Sequence, residues 1–428
     1  MAAVRWFKGA AALAAACLLA GCSAAPAGVE DLLRAPQLDG QQNEVEKALI
    51  AYLGETPQMK YPTTGENLSP FVFDDWDGDG ATDAAALYVS TAKGQNVHLA
   101  VLESVNGEWV VTQEREGLST SVESIETASL RGAEGTQLLV GYAAASGEKY
   151  LAVYSYQNET LSEVFHQSYS QYELRDISGS GGNDLVIIGP ESESGLQLQM
   201  LTAQDGQFIP VMPPLAVGNQ FTSCEGLYTS KGDDGSYYLI LDGQTGNANS
   251  LASMILYYDA RQQQLVTYHP ITVDDLFTAT QRYSSLLKSQ DIDSDGAVEI
   301  PTQLDGEGME NLAVNRLSFV AWMDYTTEYE QVKSFGVADL EYGYYLELPS
   351  EWQGQIMLTD GDEPDSWQVR TADGEGLLLT VRVVSPNASQ GGGYFLLGNL
   401  GAQKVQARLG GAEPHAQSGD LIRGFRLL

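Results

Sequence analysis

Apolar and polar residues alternate along most of this chain in short runs set apart by turn residues, and the runs come in pairs. Four segments share one order, an alternating run, a polar turn and a second alternating run: Leu99 to Val111, Leu151 to Phe165, Leu198 to Val211 and Ser253 to Val266. A period of two predicts strands. Asn106-Gly107 and Asp205-Gly206 tolerate positive φ and predict hairpin turns. The segments begin 52, 47 and 55 residues apart, and a looser fifth copy begins at Leu317. A spacing near 50 predicts supersecondary units that are stacked or arranged radially.

A second element recurs upstream of the hairpins. Asp75, Asp77, Asp79, Gly80 and Asp83 occupy places one, three, five, six and nine of a turn that begins 24 residues before the first hairpin. Asp291, Asp293, Asp295, Gly296 and Glu299 occupy the same places 26 residues before the fifth. The turn before the third hairpin keeps only Asp176 and Asp184 of the acids. The second turn, Ser129 to Gln137, keeps none, and the fourth, from Ser230, keeps Asp234-Gly235. An apolar run follows at once in each case, so the expected unit is turn, strand and hairpin.

Two segments depart from this period. Asn43 to Leu53 predicts a helix ahead of the first unit. Leu276 to Lys288, preceded by Thr272-Val-Asp-Asp275, predicts another that delays the fifth. Beyond Asp339 the pattern changes to Tyr344 to Trp352, Leu377 to Val384 and Tyr394 to Leu397, read as a separate small β domain.

The start of the chain carries different information. Arg5 and Lys8 precede an uncharged run, Gly9 to Ala20, shorter than the roughly 20 apolar residues a spanning helix needs. It ends in Leu19-Ala20-Gly21-Cys22, which resembles the lipobox of bacterial lipoproteins. That resemblance implies cleavage before Cys22, a diacylglycerol on its thiol, and an extracytoplasmic chain held to the bacterial cell membrane by lipid. Two acyl chains supply the stable anchoring that one does not. Ser23 to Gly28 then reads as a tether.

Without Arg5 and Lys8 the chain carries a net charge of about −37. Nucleic acid and anionic lipid are repelled by such a charge, whereas a divalent cation is attracted. Cys17 leaves with the signal and Cys22 is acylated, so Cys224 has no intrachain disulfide partner.

Alternate carboxylates around a glycine turn supply the hard oxygen ligands that suit Ca²⁺. An EF-hand would need Glu at place twelve, where Ala86 and Thr302 stand. The pattern instead resembles the FG-GAP or VCBS-type repeat of β-propellers related to the integrin α-chain head, over residues 66–338. The resemblance implies structural Ca²⁺ held by Asp75, Asp77, Asp79 and Asp83 and by Asp291, Asp293, Asp295 and Glu299. It also implies a mainly β fold: a propeller of about five to seven blades with short helical insertions, plus the small C-terminal β domain. The expected organisation is a signal peptide at 1–21, a tether and helical segment at 22–65, the repeats at 66–338 and the β domain at 339–428.

Such propellers mostly present a platform to a protein or polysaccharide partner. No catalytic residue is assigned: His98, His166, His269 and His415 have no close metal spacing, and no Gly-x-Ser-x-Gly elbow is present. The alternative expectation is a polysaccharide hydrolase using two carboxylates in a central pocket.

Overall fold

The computed structural model describes residues 40–428 except 193, 194, 219, 247, 248, 272, 314, 315 and 328. The expected signal, Cys22 and the tether lie outside these residues. The chain is mainly β, and its described residues form six antiparallel sheets in sequence order.

The first sheet runs through Phe71–Asp74, Asp83–Val89, His98–Val105 and Glu108–Glu116, with Gln58–Met59 extending its first edge. The second runs through Ser121–Ala128, Gln137–Ala143, Lys149–Gln157 and Thr160–Ser168. Gln171–Arg175, Asp184–Ile188, Gln197–Gln204 and Gln207–Pro210 build the third, and Ser223–Lys231, Tyr237–Gln244, Leu251–Asp259 and Gln264–Thr267 the fourth. In each of these four sheets the four main strands neighbour one another in chain order, and the repeated turn joins strand one to strand two. All four hairpins expected there are present. Asn106 and Gly107 take φ of 52° and 84°, and Asp205 and Gly206 take 52° and 75°, the primed-turn geometry that matches strand twist.

The fifth sheet starts differently. Gln290 makes a single bridge to Glu299, after which Ile300–Leu304, Leu317–Asp324, Gln331–Asp339 and Tyr344–Glu347 pair in order. Phe425–Leu427, the last strand of the chain, closes this sheet beside Tyr344–Glu347. Hydrogen bonds therefore run across position 339, where the sequence pattern changes. The sixth sheet takes Ile356–Asp360, Ser366–Thr371, Leu377–Val384, Gln403–Leu409 and Phe395–Leu400.

Apolar side chains stack these sheets face to face in a row. Ala85, Leu87, Leu99 and Val101 of the first sheet pack on Val122, Val140, Ala152 and Tyr154 of the second. Leu139, Leu151 and Val153 leave its other face for Leu185, Ile187 and Leu201 of the third. The third and fourth meet through Ile188, Met200, Leu239 and Leu256, the fourth and fifth through Ile240, Ile255 and Ile300, and the fifth and sixth through Phe319, Val337, Val369 and Val381. A strand between two such layers is apolar on both faces, which is why Asp184–Ile188 is buried at every position.

The outer face of the first sheet carries Ala84, Ala86 and Ala100, small enough for helix Gly40–Leu53 to cover it with Val45 and Leu49. The helix expected at 43–53 is thus present. The one expected from 276 to 288 stops after Leu276–Ala279. Asp275 caps it through the Phe277 N–H (3.2 Å), but the Thr280 hydroxyl turns back to the Leu276 carbonyl (2.8 Å) and also accepts the Ser253 N–H (2.9 Å). Arg282 then pairs its backbone with Leu251, 2.8 Å in both directions. Tertiary pairing with the fourth sheet outcompetes the helical pattern.

Candidate functional site

The acidic turns fold locally, and three of them fold alike. At place one, a single Asp oxygen accepts the N–H of the place-six glycine: Asp75 from Gly80 at 3.0 Å, Asp176 from Gly181 at 2.9 Å and Asp291 from Gly296 at 3.0 Å. Its other oxygen accepts the N–H of Gly78 (2.8 Å), Ser180 (2.8 Å) or Ser294 (2.7 Å). The place-six glycines have φ of 86°, 90° and 94°, a conformation that glycine adopts without steric cost.

The ninth residue opens strand two in the first and third sheets and directly precedes Ile300–Leu304 in the fifth, and it is buried in all three. Asp83 is 3% exposed, Asp184 0% and Glu299 0%. Each accepts a backbone N–H from the head of its own turn: Trp76 at 3.2 Å, Ser178 at 2.8 Å and Ile292 at 2.9 Å. In the second turn the buried Gln137 does the same for Leu130 at 2.9 Å.

Single carboxylate oxygens of Asp75, Asp77 and Asp83 lie within 4.8 Å of one another, as do those of Asp291, Asp293 and Asp295. Neither group includes the remaining expected ligand. Asp79 accepts the Ala81 N–H at 2.7 Å. Glu299 keeps Oε1 buried with no hydrogen-bond partner.

The energetics follow from placement. Burial, with Asp77, Glu103 and Asp79 nearby, pushes the Asp83 carboxyl up to about 6. Burial, with Asp293, Asp295 and Asp324 nearby, pushes Glu299 up to about 8. Asp295 moves the other way, held low by Lys333, whose Nζ lies 2.6 Å from Oδ2. A buried carboxylate without a compensating donor is costly, and a hard cation is the partner whose chemistry fits the donors present. The acids of both rich turns therefore suit Ca²⁺, with Asp75, Asp77 and Asp83 meeting in the first.

A second feature lies between the first strands of consecutive sheets. Ser121–Ala128 and Gln171–Arg175, with residues 64–66, line a cavity of about 580 Å³. Glu123 accepts from Lys149 Nζ (2.6 Å) and the Tyr169 hydroxyl (2.7 Å), so both of its oxygens are engaged. Glu126 accepts from the Tyr172 hydroxyl at 2.6 Å, and Glu173 from Thr229 Oγ1 at 2.9 Å. Burial, the largest cause, pushes the Glu173 carboxyl up to about 7. A carboxyl poised there can give or take a proton near neutrality.

Sequence reasoning missed this cavity and also Arg131, 3.3 Å from Asp184, and Lys333. The only sequence signal was the alternating polar residues of the first strands. Cys224 is a buried core residue, and burial pushes its thiol up to about 12.

No family model matches the chain, and no curated protein matches it. Among solved structures it is similar to a candidate 6-phosphogluconolactonase from Bacteroides uniformis, at 12% identity over 74% of this chain and 93% of that one, with a TM-score of 0.33. It is also similar to the exotype rhamnogalacturonan lyase YesX, at 13% identity over 72% of this chain and 60% of that one, TM-score 0.24. For TolB from Acinetobacter baumannii the values are 12%, 64%, 61% and 0.25. The chain thus spans about 60% of the length of the last two, and scores this low carry no chemistry across.

Proposed function

We propose that this is an extracytoplasmic protein, anchored through lipid on Cys22, whose sheets act as the blades of a β-propeller-type module. Ca²⁺ braces its turns, and it binds a macromolecular partner, a protein or a polysaccharide. One observation carries the reading: the first, third and fifth sheets each have a buried acid at or immediately before the start of a strand, beneath the same nine-residue turn. Such a turn concentrates negative charge where a cation balances it, and it fixes the angle between strands without enlarging the core. The cavity between the first strands of the second and third sheets offers a partner Glu126 and Glu173.

The test is thermal. The mature chain freed of metal is expected to melt higher in saturating Ca²⁺, and the gain should vanish when Asp77 and Asp79 are both replaced by Asn. An unchanged melting temperature in Ca²⁺ rejects the brace. Labelled palmitate should enter the expressed protein and be lost on Cys22→Ser.

A second reading, a polysaccharide hydrolase, is favoured by one fact, that Glu173 is raised towards neutrality in the cavity that also holds Glu126. Glycoside cleavage uses two carboxyl groups, one of which carries a proton near neutrality. It predicts reducing-end release from a panel of cell-wall polysaccharides that Glu173→Gln abolishes. No release from any of them counts against it.

A further inference from the structure

The acidic turns differ in what faces them, and the difference follows from sheet register. In the hairpin of the fifth sheet, Trp322 pairs with Ser334 and Met323 with Val332, so Lys333 is an extra, unpaired residue. A bulge of this kind re-aims a side chain, and Lys333 Nζ reaches Asp295 at 2.6 Å and Asp293 at 3.9 Å. The first sheet has its bulge at the corresponding hairpin strand, where Val101 pairs with Gln113 and Leu102 with Val111. The residue left over there is Thr112, which carries no charge.

The third turn meets a different cation. A parallel bridge between Leu130 and Asn183 seats Arg131 beside it, and Arg131 lies 3.3 Å from the buried Asp184. The second turn needs none, because Gln137 holds the ninth place as a neutral amide. Among the described residues no Lys, Arg or His forms an ion pair with Asp75, Asp77, Asp79 or Asp83.

Two buried side chains point to a ligand independently of acid count. Asp83, 3% exposed, gives one oxygen to the Trp76 N–H, and its other oxygen meets no donor among the described residues. Glu299 Oε1, on a side chain 0% exposed, has no partner either.

We propose, resting on the calcium reading above, that the protein divides the counter-charge of its repeated turns between metal and its own side chains. The first turn takes a divalent cation. Arg131 serves the third in its place, and Lys333 occupies the fifth, which binds metal only when the ammonium is displaced. Lys333 is thus a selectivity residue, and the charge set at one bulge position decides how many metal ions the protein holds.

Calcium titration of the metal-free mature chain, by calorimetry and equilibrium dialysis, tests this. Wild type is expected to show one tight site, Asp77→Asn none and Asp291→Asn still one. Lys333→Thr, which reproduces the residue at the first sheet's bulge, should show two. The second site should bind at least about tenfold tighter than any second site of wild type, because no ammonium has to be displaced first. Two equivalent sites in wild type, or a tight site surviving Asp77→Asn, overturn the division while leaving the calcium reading intact. No binding by wild type overturns the calcium reading itself. Should Lys333→Thr fail to fold, the two Asp variants still decide which turn holds the ion.

Discussion

Arg282 and Asp242 meet 2.7 Å apart with both side chains fully buried, an ion pair that ties the segment after Leu276–Ala279 to the fourth sheet. Asp242 also accepts from Ser253 Oγ (2.6 Å), Ser289 Oγ (2.7 Å) and the Ser289 N–H (2.6 Å), while Arg282 Nη1 donates to Ser253 Oγ and the Thr280 carbonyl, each at 2.9 Å. Removing one member strands the other charge in the core. Arg282→Ala is expected to cost about 3–5 kcal/mol, read as a lower urea midpoint. A cost below about 1 kcal/mol would show that water reaches Asp242 freely.

The first turn gives a prediction with two opposite arms. Asp83 is raised in the folded state from 3.8 to about 6, so between those pH values the native protein binds more protons than the unfolded one. Metal-free stability therefore falls as pH rises through that window, and the cost remains above it. Asp83→Asn keeps an acceptor for the Trp76 N–H without the buried charge. At pH 8 without metal this variant should melt above wild type, and Ca²⁺ should no longer raise its melting temperature.

Glu173 has the same sign and the same leading cause, burial, here between the third and fourth sheets. Its carboxyl rises from 4.5 to about 7, so its contribution to stability declines as pH rises from about 4.5 to about 7. Wild type minus Glu173→Gln, measured as melting temperature against pH, should slope downward over that window and level off above it. A difference that does not vary with pH would place Glu173 in open solvent.

Packing between strands limits one glycine severely. A Cβ at Gly336 would lie 2.1 Å from the Leu346 carbonyl oxygen and 2.9 Å from the Glu347 Cα, both backbone atoms of the neighbouring strand. Gly336→Ala is expected to destabilise by about 1–3 kcal/mol or more, seen in chemical denaturation. Gly78→Ala meets no atom within 4 Å and suffers only the strain of its positive φ.

The parts legible in the sequence were those whose causes are local. Strands predicted to begin at Leu99, Leu198 and Leu317 begin at His98, Gln197 and Leu317, because alternation is a property of adjacent residues. The turns were legible for the same reason: Asp75 bonds residues three and five places on, and Asp83 bonds one seven places back. The predicted helix at 276–288 failed because its apolar spacing says nothing about Asp242, which draws Arg282 inward.

The sequence by itself determined the alternating strands, the hairpin turns and the carboxylate-lined turns, since each arises from hydrogen bonds and side-chain alternation within about ten residues. The tertiary structure alone decided which of those turns lacks a counter-charge. Arg131 stands 53 residues from Asp184 in the chain and Lys333 38 from Asp295. Only the stacking of sheets and a one-residue bulge bring those cations within reach, because Coulomb attraction depends on distance in space and not on separation along the chain.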